Sequence, residues 1–383
     1  MHTSAHDAVR RAATSARDPR TAAAELAAAL QPGSRELVVF FASPDYDASA
    51  LAPAIAEAFA GTRVIGCTTA GEFGPCGYRE GSLSGFALDR DAFDVEIVRL
   101  DGLAEMELDA GTRAMERAIE RMESRGLSVD ADHCFAFMLV DGLSMREEAL
   151  VSSLYVAMDG ISLFGGSAGD NLDFGETLVY HGDRFVENAA VVALIRTDLP
   201  FEVFRTQHFD ETDARMVITE ADPLTRIVTE INAEPAADEY ARAVGLELGE
   251  LTPQVFATYP VLLRVGGETY VRSIAKVNDD GSLSFFYAIE PGTVLTVARG
   301  GDLVASLEEQ LEAVRSRVGP PLLTIGCDCI LRSLESQRDE LRERVAEALE
   351  RFEAVGFATY GEQFNAMHVN QTFTGVMIGS PGV

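Results

Sequence analysis

The sequence predicts an α/β protein with mixed sheets built from repeated strand-helix-strand units, its two halves meeting at a cleft. Short apolar runs of strand length alternate with helical periodicity, as in 36-ELVVFFAS-43, 48-ASALAPAIAEAFAG-61 and 63-RVIGCTTAGEF-73. Strand, helix, strand implies a right-handed parallel crossover. A glycine-turn phrase also recurs, in 64-VIGCTTAGE-72, 163-LFGGSAGD-170 and 355-VGFATYGE-362. Each copy follows a strand-helix pattern and precedes a β-rich segment: 82-SLSGFALD-89, 189-AAVVALIR-196 and 372-TFTGVMIG-379.

In chain order, Asp18-Pro19 supplies an N-cap and a proline at the first helical position, opening an alanine-rich helix that ends before Gly33. The segment before it carries no wide apolar face and reads as dispensable. Strand 36–43, helix 48–61 and strand 63–73 follow. Strands are then expected over 82–89 and 93–100, and a helix with Met115, Ile119 and Met122 on one face. Next come strand 133-HCFAFMLVDG-142, helix 145–160 and strand 161-ISLFGGSAGD-170. The last copy begins with 322-LLTIGCDCILR-332 and a helix bearing Leu341, Val345, Leu349 and Phe352 at spacings of three and four. Gly71 and Gly361 are expected where a Cβ would be strained, and the turns, if they meet, place Glu72, Asp170 and Glu362 at the rim of a pocket. The plainer reading is that small residues stand where a strand bends beside its neighbour.

The chain has 383 residues, 47% of them hydrophobic, enough for a large core and for two domains or one elaborate one. Its formal charge of −30, with Lys276 the sole lysine, argues against a nucleic-acid partner, because a polyanion would be repelled. No apolar run reaches the roughly 18 residues of a membrane span, and charged residues interrupt the N-terminus where a secretory signal would lie. Membrane insertion is therefore not expected. Five cysteines at uneven spacing make a disulfide framework improbable and point to a reducing cytoplasm. Cys327-x-Cys329 lacks a second close pair for a metal site, and Cys76 follows its proline rather than preceding it. No G-x-S-x-G elbow, H-E-x-x-H or kinase set is present, so the chain reads as a ligand-binding module and not an enzyme.

Taken together, GCTTAGE with a later SGFAL, LFGGSAGD followed by 179-VYHGDRFVENAAVVALI-195, and GFATYGE ending in VNQTFTGVMIG resemble the FIST family of prokaryotic sensory proteins. The resemblance begins after an N-terminal helical segment over 1–34 and implies a FIST N-terminal domain over 35–235 and a C-terminal domain over 236–383. The closing phrase GEQFNAMHVNQTFTG is similar to that of the family's nitric-oxide-sensing haem proteins, the NosP group. That similarity implies haem b as cofactor, nitric oxide as ligand and a separate sensor histidine kinase as partner. The alternative is a haem-free module that senses a small metabolite such as an amino acid.

Residue chemistry bears on the haem reading. A b-type haem needs an apolar slot and an axial ligand, and no C-x-x-C-H exists for covalent attachment. Of the histidines, His2 and His6 are terminal, His133 begins a strand and His181 sits in a turn. His368 is the leading candidate for the iron, with His208 second. Phe364, Met367 and Phe373 could face a porphyrin, and Asn370 could bond a propionate or the far imidazole nitrogen. The plain alternative is that His368 caps its strand through a backbone hydrogen bond.

Overall fold

A computed structural model describes residues 4–6, 8–75, 77–336 and 339–380; His2 and Cys76 lie outside the described residues. The chain is α/β with mixed sheets, and one unit occurs three times. The first comprises β1 (Ser4–His6), β2 (Val9–Thr14), α1 (Pro19–Leu30), β3 (Arg35–Ala42), α2 (Ala48–Ala58), β4 (Val64–Thr68), hairpin β5 (Glu72–Gly74) and β6 (Gly77–Arg79), and β7 (Leu83–Asp89). The second comprises β8 (Phe93–Asp101), α3 (Ala110–Ser124), β9 (Cys134–Val140), α4 (Glu147–Val156), β10 (Ser162–Ser167), hairpin β11 (Val179–His181) and β12 (Arg184–Val186), and β13 (Ala189–Thr197).

The third unit opens with β14 (Phe201–Thr206) and is then interrupted by an inserted, mainly antiparallel layer. This layer holds β15 (Phe209–Asp222), β16 (Ile227–Ile231), β17 (Glu234–Pro235), α5 (Ala236–Val244), α6 (Pro253–Thr258), β18 (Val261–Val265), β19 (Glu268–Arg272), β20 (Ile274–Val277), β21 (Leu283–Phe285) and β22 (Val294–Gly300). The unit resumes with α7 (Leu303–Val318), β23 (Pro321–Cys329), α8 (Ile330–Glu335), α9 (Asp339–Arg351), β24 (Ala354–Thr359), hairpin β25 (Glu362–Phe364) and β26 (Met367–Val369), and β27 (Phe373–Gly379).

Each unit contributes a central parallel pair to its own sheet, β3 with β4, β9 with β10 and β23 with β24. The hairpins are exchanged cyclically. The second unit's hairpin extends the first sheet through β11 on β4, the third's extends the second through β25 on β10, and the first's extends the third through β5 on β24. Strand periodicity explains how the sheets enclose a core. Leu37, Val39 and Phe41 on β3, Phe135, Phe137 and Leu139 on β9, and Leu323, Ile325 and Cys327 on β23 point into one shared cluster. The alternate residues of β3 and β9 face α1 with α2 and α3 with α4, respectively. The third sheet packs outward on α7 and α9. Asp18 caps α1 by accepting the Thr21 N–H at 2.8 Å, with Pro19 in the first turn as the sequence suggests.

The N-terminal expectation needs correction. Residues 9–14 form a strand paired with β7 from Val9↔Leu88 to Thr14↔Leu83, so the segment is not purely helical and is built into the first sheet. Val9 and Ala12 are buried on opposite faces. Arg11, whose charge hid this pattern in the sequence, is itself buried: its guanidinium donates to Glu353 and, at 2.9 Å, to the Ala354 carbonyl.

The three glycine turns do meet. Ala70 N–H donates to the Ala358 carbonyl at 2.9 Å, Gly169 N–H to Thr68 at 3.0 Å and Tyr360 N–H to Ser167 at 3.3 Å, closing a ring of main-chain bonds between units. Gly71 has φ +130°, a conformation only glycine adopts readily. At Gly361 the constraint is steric instead, since φ lies outside the left-handed range and an added Cβ would stand 2.2 Å from His368 Cε1.

Candidate functional site

The turn carboxylates hold hairpins in place and do not line a pocket. Glu72 accepts from Ser82 N–H and Oγ at 3.3 and 2.6 Å, and Glu362 accepts from Thr372 N–H and Oγ at 3.1 and 2.7 Å. Both residues are wholly buried. Burial pushes the Glu72 carboxyl up to about 7 and raises that of Glu362 well above its usual range. Asp170 departs from the pattern because the ring aligns Gly169, not Asp170, with Ala70 and Tyr360. It accepts the N–H groups of Phe174, Gly175 and Glu176 at 3.0, 2.7 and 2.8 Å, and the Tyr360 hydroxyl. A cavity of about 380 Å³ opens beside Gly71, lined among others by Tyr78, Asn171 and Arg342.

The opposite is true around His368, where buried polar atoms converge with few partners. Asn365, at φ +53°, turns hairpin β25–β26 and anchors it to β10 through its own N–H on the Leu163 carbonyl at 2.7 Å. The register sets Gln363 opposite His368 and Phe364 opposite Met367. His368 is 1% exposed, and its ring lies nearly parallel to Tyr287, 6.0 Å away with a 9° interplanar angle. Gln363 Nε2 lies 3.3 Å from His368 Nδ1, which assigns Nδ1 as acceptor and the proton to Nε2. Burial pushes the imidazole below its usual pKa against the pull of Glu147 and Glu148.

The inserted layer supplies the other wall. Arg272, wholly buried at the end of β19, has its guanidinium 3.6 Å from the centre of the Tyr287 ring and 5.9 Å from that of Tyr270. Arg205 on β14 continues the stack, 4.7 Å from Tyr270 and 5.7 Å from Phe364. Alternating rings and guanidiniums thus run from Phe364 to His368. Arg226 ties the layer to α4, donating to Glu147 at 2.6 Å and Glu148 at 2.7 Å, and Ser273 Oγ donates to Gln371 at 3.0 Å. Among the described residues, Arg272 Nε and Nη2, Gln363 Oε1 and both amide atoms of Asn370 are buried without a hydrogen-bond partner. Native interiors leave few such atoms, and each costs about 1–3 kcal/mol, more when charged.

Four of the expected residues, His368, Phe364, Met367 and Asn370, therefore share one hairpin and its exit. Phe373 does not join them: it lies in the core between Phe73 and Phe204, with ring centroids 5.9 and 6.0 Å away. His208 is also elsewhere, and both its ring nitrogens are engaged. Nε2 donates to Glu335 at 2.9 Å, and Nδ1 accepts from Arg332 at 3.1 Å, so neither nitrogen is free for iron.

His368 as packed does not fit haem either. Its Nδ1 faces Gln363, its Nε2 edge abuts Gly361, where an added Cβ would stand 2.7 Å from that nitrogen, and one ring face lies under Tyr287. An axial imidazole needs a bare nitrogen fronting an apolar slot as wide as a porphyrin. No group of three or more His, Cys, Asp or Glu among the described residues could hold a metal ion. The four described cysteines are buried free thiols, and burial raises the pKa of each.

The chain is thus a module of repeated α/β units whose inserted layer closes over a polar interior. The chain matches the FIST N domain over residues 36–234 and the FIST C domain over 236–365, and it belongs to the FIST family, whose domains are small-ligand sensors in signal transduction. No curated protein matches it. Among solved structures it is similar to cyanuric acid hydrolase from A. caulinodans, at 7% identity over 98% of this chain and 99% of that one, with a TM-score of 0.41. It is also similar to phosphoribosylformylglycinamidine synthase II from Thermotoga maritima, at 9% identity over 98% and 73% of the two chains, with a TM-score of 0.21. Neither likeness is close enough to bear on chemistry.

Proposed function

We propose that this chain is a sensor, not an enzyme, that takes a small polar metabolite such as an amino acid between the inserted layer and hairpin β25–β26. In this reading the response passes to a separate partner, a sensor histidine kinase. The observation that carries the proposal is the set of buried, unpartnered atoms on Arg272, Gln363 and Asn370. A ligand that bonds them recovers free energy that the empty arrangement forgoes. Because these residues are inaccessible in the closed form, a ligand reaches them only when the inserted layer moves off the hairpin. Binding is thereby coupled to the position of that layer, which is what a two-state sensor requires.

Calorimetric titration of the purified chain with the common amino acids tests this reading. Saturable binding of one or a few, lost in Asn370→Leu, is expected; heats indistinguishable from dilution for all of them would overturn the amino-acid assignment.

The second reading is the haem-based nitric oxide sensor, and the similarity of GEQFNAMHVNQTFTG favours it. It requires His368 to turn away from Gly361 and Tyr287. Titration with haemin distinguishes the two: a saturating one-to-one Soret shift that responds to nitric oxide and is lost in His368→Ala establishes haem, whereas the free-haemin spectrum at every ratio removes it.

A further inference from the structure

The chemistry of the ligand is written in Arg272, given the metabolite-binding reading above, on which this inference rests. A guanidinium has two edges that can grip a planar anion. Nη1 is committed, donating to the Val271 carbonyl at 3.0 Å. Nε and Nη2, the two without partners, carry the parallel N–H groups of the side-on edge, whose spacing matches the two oxygens of a carboxylate. The plane of the group is fixed from below by Tyr287 at 3.6 Å, so the fork is oriented in advance. The side chain is also wholly buried, so water is a poor substitute for an anion there.

Neighbouring charges do not fill the role. Glu147 and Glu148 are both spent on Arg226, and Glu148 also accepts the Ala288 N–H at 3.2 Å. Gln363, on hairpin β25–β26, and Asn370, at its exit, leave their carbonyl oxygens free, and Asn370 its amide N–H₂ as well.

We infer that the site takes a small carboxylate, gripped in bidentate fashion by Arg272 Nε and Nη2, whose remaining polar end is met by Asn370 and Gln363. Glu148 acts on Arg272 only through space, so the carboxylate supplies the directly bonded counter-charge that Arg272 lacks, and it does so only while the inserted layer is seated on the hairpin. Ligand recognition and layer closure are then one event. A charge-neutral analogue of the same shape cannot produce that event, because it leaves the guanidinium unpaired.

The test pairs each amino acid of a common panel with its α-carboxamide and measures thermal stabilisation of the full chain and calorimetric affinity. Acids are expected to bind and their carboxamides to bind at least a hundredfold more weakly. Arg272→Lys keeps the positive charge but loses the fork, and it should weaken the best acid at least tenfold while the far-ultraviolet circular dichroism stays that of the parent. If R272K does not fold, the acid-amide comparison on the unmodified chain decides alone. Carboxamides that bind as tightly as the acids overturn the carboxylate while leaving a metabolite sensor standing. Acids that bind R272K and the parent equally place the grip elsewhere, and a panel in which no acid stabilises the chain overturns the inference together with the amino-acid reading.

Discussion

Replacing Gly361 by alanine probes the packing of the site more directly than changing any of its polar residues. The added methyl would stand 2.2 Å from His368 Cε1, 2.7 Å from His368 Nε2 and 3.3 Å from Asn370 Nδ2. The first two are closer than a Cβ approaches any non-bonded heavy atom, so the imidazole must move. Tyr287 on its face and Gln363 at Nδ1 oppose that movement. Overpacking of a filled interior costs about 1–3 kcal/mol, and with backbone strain absent at this φ the whole cost is steric, towards about 3 kcal/mol. Equilibrium urea denaturation followed by circular dichroism measures it, with the exposed Gly33→Ala, which meets nothing within 4 Å, as a control expected within about 0.5 kcal/mol of the parent. The clash has a specific partner, so the penalty should largely vanish when G361A is made in a His368→Ala background. A G361A cost below about 0.5 kcal/mol, or one unchanged by removing the imidazole, would refute the claim that His368 is packed hard against this turn.

Glu72 gives a pH-dependent outcome. Its carboxyl rises from 4.5 to about 7 on folding, so the native state holds the proton more tightly and stability from this group falls as pH rises between those values, by about 3 kcal/mol in all. Glu72→Gln can keep the Ser82 contacts with its carbonyl oxygen; the variant should gain on the parent as pH climbs from 5 to 8, and a parallel pH profile for the two would contradict the buried neutral carboxyl. Deleting residues 1–14 uncovers β7, exposes the partners of Val9 and Ala12 and leaves Glu353 without Arg11; a loss of about 3 kcal/mol or more is expected in urea, and an unchanged midpoint would show that β2 is not integral.

Much of this architecture is legible in the chain because it is repeated. The phrases ending in Gly71 and Gly361 mark the same turn in two units, and the unbroken apolar runs within 36–43 and 133–142 mark strands covered on both faces. The hairpin exchange is not legible, because β5, β11 and β25 are short segments whose partners are chosen by the packing of the sheets and not by their own side chains. Asp170 misleads because the second turn is offset by one residue and continues into a loop that the carboxylate itself organises. The strand at 9–14 is hidden by Arg10 and Arg11, whose charges read as surface. At the site, His368 stands out within an otherwise apolar and amide-rich segment, but 268-ETYVRS-273 looks like an ordinary half-exposed strand. Only the alternation of Tyr270 and Arg272 hints that an aromatic and a guanidinium share one face, and the groups they stack on, Arg205 and Tyr287, are brought to them only by the fold.

The central claim, that the polar interior between the inserted layer and hairpin β25–β26 is a ligand site, is tested most directly by a high-resolution crystal structure of the chain grown with the tightest-binding amino acid. The account predicts density for a carboxylate with both oxygens within hydrogen-bond distance of Arg272 Nε and Nη2, close to Tyr287, and with its far end on Asn370 or Gln363. A structure in which the ligand occupies the cavity beside Gly71, or in which a protein carboxylate fills the Arg272 fork, would contradict it.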